Sequence, residues 1–245
     1  EIRRDHVAAM PDLGLLRFGN WPFTALPTGG GTVLALPDAP GGTATAAGFA
    51  YASRLGRLTH APTPDFRMVR GADLDFAGAA GSHFVLLVDT AKHSLYDKLL
   101  AAGGVLLSGG PDRLLADSRA ATLLGAGVGT AYGTIEETFS PANAQRGVLV
   151  LRAVREGGLA TLVEVSTDLG KVKQLGGNAA VVADDRSVRT IDVATKKQWG
   201  ALPVATAAQR TIKKNWWVLG ALVLGGAFIL TAIVRVWAQS RSGRL

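Results

Sequence analysis

A chain of 245 residues with a formal net charge of +7 and no cysteine has the balance of a nucleic-acid binder, but the placement of its charges removes that reading. Eight of the Lys/Arg and none of the Asp/Glu lie in residues 196–245, so +7 overall leaves residues 1–195 at −1, with no basic, aromatic-studded face to grip phosphates. The lack of cysteine excludes a disulfide framework, thiolate metal sites and a thiol nucleophile, and leaves the compartment open.

Residues 1–31 read as an irregular lead-in, because Pro11, Pro22, Pro27 and the run Gly29-Gly30-Gly31 interrupt any long element. A short helix fits 12–18, ended by Gly19. The chain begins at Glu1 with neither Met nor an apolar leader, and a tail-anchored chain with its bulk outside needs an export signal. The expectation is a longer precursor.

From residue 32 a rhythm sets in. TVLAL (32–36) is a short strand ended by Pro37. Residues 43–58 predict a helix with Phe49, Ala52, Leu55 and Leu58 inward. A strand is expected at 66–69, and HFVLLV (83–88) reads as a strand buried on both faces. Helices follow at 94–102, stopped by Gly103-Gly104, and at 112–124. A strand fits 147–153. The next helix, 159–169, turns Leu159, Leu162, Val163 and Leu169 inward. Residues 178–183 and 187–193 form an antiparallel pair turned at Asp184-Asp185-Arg186. This alternation predicts an α/β sandwich over 32–195 with a largely parallel sheet.

Residues 196–215 lead away from the domain. Trp199, Leu202, Val204 and Ile212 alternate with polar residues, which suits either an amphipathic segment lying on a membrane surface or a plain linker. Residues 216–234 (WWVLGALVLGGAFILTAIV) hold no charge. As a helix they span about 28 Å, the thickness of a bilayer's hydrocarbon, where only a helix satisfies its own backbone. Arg210, Lys213 and Lys214 precede the run and Arg235, Arg241 and Arg244 follow it. Trp216, Trp217 and Trp237 fall where the two interfaces belong. The prediction is a transmembrane anchor over 216–237 with a short basic tail, 238–245, to meet anionic headgroups. Gly220, Ala221, Gly225 and Gly226 are not needed to span. Ala221 and Gly225 share one helix face, where small residues admit a second helix.

Candidate chemistry is sparse. The loop 37–45 is where an α/β fold holds a phosphate, but two prolines remove N–H donors, no Lys or Arg is near in sequence, and no GxGxxG or Walker pattern occurs. Thr43 or Thr45 reads better as a helix N-cap. Ser108 lacks the glycine pattern of a nucleophile elbow. His6, His60, His83 and His93 have no metal-ligand spacing and read as surface or loop residues. Asp184-Asp185 reads as a turn and Glu136-Glu137 as part of a loop. The sequence argues against an autonomous enzyme and for no cofactor or metal.

Five segments in order resemble one family, the B-type regulatory subunits of bacterial cellulose synthase: 12–24 (DLGLLRFGNWPFT), 33–40 (VLALPDAP), 51–62 (YASRLGRLTHAP), Ser140-Pro141 with Arg146 and VLVL (148–151), and 199–203 (WGALP). Two positions depart: Ala142 stands where the family has a tryptophan, and the tyrosine before the last motif is replaced. The resemblance implies a flavodoxin-like α/β domain with helices on both faces that uses no flavin. It implies a periplasmic domain beside the bacterial inner membrane, oriented N-outside, and a partner catalytic subunit that polymerises glucose from UDP-glucose. The anchor, with Trp199, Trp216, Trp217, Gly220, Ala221, Gly225, Arg235 and Trp237 as its membrane and partner interface, would support polymer translocation. Family members are several times longer, so the resemblance, which covers only their last flavodoxin-like domain and tail, implies either the C-terminal portion of a longer subunit or a divergent short relative; contact with cellulose would then fall to N-terminal domains. Some relatives are labelled as binding cyclic-di-GMP, but the arginine-plus-DxSxxG pattern of its receptors is absent. The other readings are a tethered redox or nucleotide-binding protein and an envelope receptor for a soluble ligand.

Overall fold

Two uninterrupted apolar runs seed the sheet. TVLAL forms β2 (Thr32–Leu36) and HFVLLV forms β4 (His83–Val88), each buried at every position, as strands covered on both faces are. The computed structural model describes residues 8–24, 31–59, 66–89, 93–102, 132–192 and 197–199. The chain divides into two compact units, Ala9–Trp199 and a second made of Glu1–Ala8 with Gly200–Leu245. The described residues belong to the first, Ala8 apart.

The other strands are β1 (Ala8–Met10), β3 (Arg67–Arg70), β5 (Gly133–Ser140), β6 (Asn143–Ala153), β7 (Ala179–Val182), β8 (Val188–Ile191) and β9 (Lys197–Trp199). Among the described residues the helices are α1 (Gly42–Thr59), α2 (Ser94–Ala101) and α3 (Gly158–Thr167), with 3-10 turns at Leu13–Arg17, Gly71–Asp73 and Val172–Gln174. β1 and β9 pair as a two-stranded sheet, and the remaining strands form a seven-stranded sheet in the order β3-β2-β4-β6-β5-β7-β8. The first four run parallel. β5 then pairs antiparallel with both β6 and β7, and β7 with β8. The sheet is therefore mixed, a correction to the largely parallel one expected. β5 is the reason: the loop expected at Glu136-Glu137 is a hairpin arm, turned at Pro141-Ala142 into β6.

Alternate side chains of the parallel strands feed two cores. Leu34, Leu36, Val85, Leu87, Leu149 and Leu151 face α1 and α3. Val33, Ala35, Phe84, Leu86, Val148 and Val150 face α2. Helices thus cover both faces, as expected. Burying each such leucine is worth about 2 kcal/mol.

α1 keeps Leu55 of the expected stripe inward but is rotated away from Phe49. Ala44, Ala47, Tyr51 and Leu55 are buried, whereas Phe49 is 60% exposed and Ala52 and Leu58 are half-buried. The helix approaches β2 closely at Gly48, where a Cβ would lie 2.7 Å from Leu36 Cδ2. α3 ends at Thr167, and Leu169, expected inward, is 61% exposed. The antiparallel pair β7–β8 appears as expected, with Ala179 opposite Ile191 and Arg186 left-handed at its turn. The short helix expected at 12–18 is the turn Leu13–Arg17, whose N-cap Asp12 accepts the Gly14 N–H at 3.0 Å. The lead-in also holds β1. The helix expected at 112–124 lies outside the described residues.

Candidate functional site

The strand order reverses between β2 and β4: the chain moves from β2 outward to β3, then back across to β4. In open α/β sheets a ligand crevice lies at that point, beyond the carboxyl ends of the strands. A cleft of about 240 Å³ does sit there, lined by Gly41, Thr43, Asp89, Arg155 and Glu156 among others. The sequence placed no Lys or Arg near this loop; the fold brings Arg155 in from the turn after β6. Its guanidinium lies 3.8 Å from the centroid of the Tyr132 ring. α1 begins at Gly42, so Thr43 and Thr45 lie within its first turn rather than at its cap. Thr45 Oγ1 donates back to the Gly41 carbonyl at 3.0 Å.

Beside the cleft the edge is filled by its own side chains. Asp38, from the loop after β2, accepts the Ser94 N–H (3.0 and 3.1 Å to its two oxygens) and the Ser94 hydroxyl at 3.0 Å. The carboxylate thus sits on the first turn of α2, where the helix dipole favours it. His93 caps the same helix, its Nδ1 accepting the Tyr96 N–H at 3.4 Å. Burial pulls the His93 pKa below its usual value, against the Asp38 and Asp89 charges. A Cβ on Gly71 would meet Asp38 Oδ1 and His93 Cε1, each at 2.8 Å. His93 thus lies in the loop ahead of α2, within the surface-or-loop expectation, but as a buried capping residue rather than an exposed one.

The opposite, amino edge holds what the sequence did not reveal. Glu137 is completely buried, and its Oε2 accepts the Asp12 N–H at 2.7 Å. Asn20 links the lead-in to two helices: its Nδ2 donates to the Ser166 carbonyl at 2.9 Å, and its Oδ1 accepts the Tyr51 hydroxyl at 2.9 Å. Burial, then the Glu137 charge, raises the Tyr51 pKa. His83 is also buried rather than superficial. Its Nδ1 accepts the Gly147 N–H at 2.9 Å, and its ring meets Phe23 edge-on. Burial and the positive charge of Arg146 push its pKa down to about 4. The one available signal was the β-prone context GTIEETFS around the two glutamates.

Asp184-Asp185 forms the exposed turn expected of it, Asp185 accepting the Ser187 N–H at 2.8 Å. His6, His60 and Ser108 lie outside the described residues. So do most of the expected interface residues: Trp216, Trp217, Gly220, Ala221, Gly225, Arg235 and Trp237. Trp199 ends β9, so residues 197–199 are a strand of the domain rather than part of a linker. No helix among the described residues is long and apolar enough to cross a membrane; the predicted span lies outside them.

Fold and edges together define a doubly wound α/β module whose polar groups serve its own architecture. Among the described residues no group of His, Asp and Glu is arranged to hold a metal. Residues 6–151, more than half of the chain, match the family model described as cellulose synthase BcsB, second FD domain. The chain belongs to the BcsB family, the accessory subunits of cellulose synthase. The match takes in β1 through β5 and most of β6; α3, β7 and β8 complete the sheet beyond it. A search of curated proteins finds no match.

Proposed function

We propose that the chain is a non-catalytic, membrane-anchored subunit that holds an α/β domain in the bacterial periplasm beside a catalytic cellulose synthase subunit and supports passage of the polymer. The observation that carries this reading is the family match over residues 6–151. The uncharged run 216–234 with its basic and tryptophan flanks supports the anchor, and the spacing of Ala221 and Gly225 supports a face for the partner's helices. Affinity capture of the full chain from native membranes is expected to bring down a glycosyltransferase. Gly225→Leu is expected to lose most of it while staying in the membrane. Capture and polymer synthesis unchanged in that variant would sink the packing face.

A second reading, a tethered redox or nucleotide-binding protein, has the cleft at the sheet's switch point in its favour. At about 240 Å³ it falls short of the 300 Å³ or so from which small-molecule pockets begin. An absorbance scan of the purified chain for flavin separates the two.

A further inference from the structure

The amino edge carries an exposed patch that packing does not explain. A shallow groove of about 430 Å³ runs between the end of α1 and the end of α3, lined by Arg54, Arg57, Leu58, Thr167, Asp168 and Leu169. Leu169 stands 61% exposed at its rim. The neighbouring turn, pinned to the same helix end through Asn20 and Ser166, presents Phe18, 46% exposed, under the guanidinium of Arg17 at 4.8 Å. The acids here are engaged by their own chain: Glu164 pairs with Lys171, and Asp168 accepts the Gly170 and Lys171 N–H groups at 2.9 and 3.1 Å. Among the described residues Arg17 and Arg57 have no ion-pair partner. Apolar tips beside arginines that no carboxylate neutralises are the composition of a surface that enters the headgroup layer of a bilayer.

Chain connectivity limits how far that surface can lie from the predicted span. β1 reaches this same edge, where Met10 meets Gly147, and its partner β9 ends the unit at Trp199. The uncharged run begins at Trp216, so the linker reaches at most about 55 Å. A tether of that length holds the two surfaces at a high effective concentration.

We infer that this edge, through Arg17, Phe18, Arg57 and Leu169, rests on anionic lipid headgroups. The inference rests on the anchor reading and deepens it by assigning the domain a lipid-facing side.

The absence of cysteine makes site-specific labelling direct. Full-chain Leu169→Cys and, at the other edge, Thr43→Cys would carry a fluorophore in vesicles of phosphatidylcholine with one part in about three of phosphatidylglycerol, a load chosen to give a strongly negative surface, doped with headgroup spin-labelled lipid. The Leu169→Cys label is expected to be quenched several-fold more than the Thr43→Cys label. Reversing Arg17 and Arg57 to Glu is expected to weaken the docked state by about fivefold or more per residue, and high salt to mimic that loss. Equal quenching at both positions in floating vesicles overturns the inference. Quenching that is unchanged in pure phosphatidylcholine overturns it as well. A chain that fails to float after an alkaline wash removes the anchor reading itself, and the premise with it.

Discussion

The two edges of the sheet solve opposite problems. At the carboxyl edge, where folds of this kind receive ligands, Asp38 is spent on Ser94 and His93 caps α2. At the amino edge a carboxylate and an imidazole, Glu137 and His83, are buried beneath the lead-in, and apolar tips point outward. The comparison teaches that buried charge in this protein fastens a strap. Polar residues at a binding-prone edge are likewise consumed by architecture.

The largest expected effect comes from cutting the strap. Glu137→Ala removes the carboxylate that the Asp12 N–H reaches and opens a cavity in the fully buried Glu137 site, and should cost about 3 kcal/mol as read from the urea midpoint of the full chain in detergent. Glu137→Gln keeps an acceptor and should cost less. If the alanine variant unfolds at the wild-type midpoint, the amino edge is not held from within.

His83 gives the same edge a pH signature. Its pKa is about 4 in the folded chain against about 6.5 unfolded, so between those values the unfolded state binds more protons. Its contribution is complete above about pH 6.5 and falls as pH drops toward 4, by about 3 kcal/mol in all. Midpoints measured across this window should show the loss, and His83→Asn should flatten that part of the curve.

At the carboxyl edge the effects shrink. Gly71→Ala drives a methyl against Asp38 and His93 and should cost about 2 kcal/mol. A neutral result there would mean the edge has room the geometry does not show. Asp38→Ala removes the acceptor of Ser94 and should cost about 1 kcal/mol, visible as faster amide exchange over the first turn of α2. A ratio of carboxyl-edge to amino-edge costs above one would invert the comparison.

What the sequence made legible follows from burial. Strands covered on both faces show as continuous apolar runs, so β2 and β4 appear at their observed bounds. β5 stayed hidden because Glu136 and Glu137 are buried against the usual rule, and Asp12, the partner that makes Glu137 tolerable, lies 125 residues away. On α1, the series through Phe49 and the series through Ala47 both fit helical spacing. Size favoured the phenylalanine, but the close approach at Gly48 put Ala44 and Ala47 against the sheet. Arg155 reached the cleft through topology, which no local pattern encodes. The family was legible because its motifs are local: turn, strand and loop segments that keep their order.

The outermost strands of the seven-stranded sheet, β3 and β8, are only four residues each, and both carry arginine: Arg67 and Arg70 on one, Arg189 on the other. Brevity and like charge discourage a neighbour from adding a strand. Two copies of the domain brought side by side would therefore repel rather than zip into a continuous ribbon, and each would keep its own border.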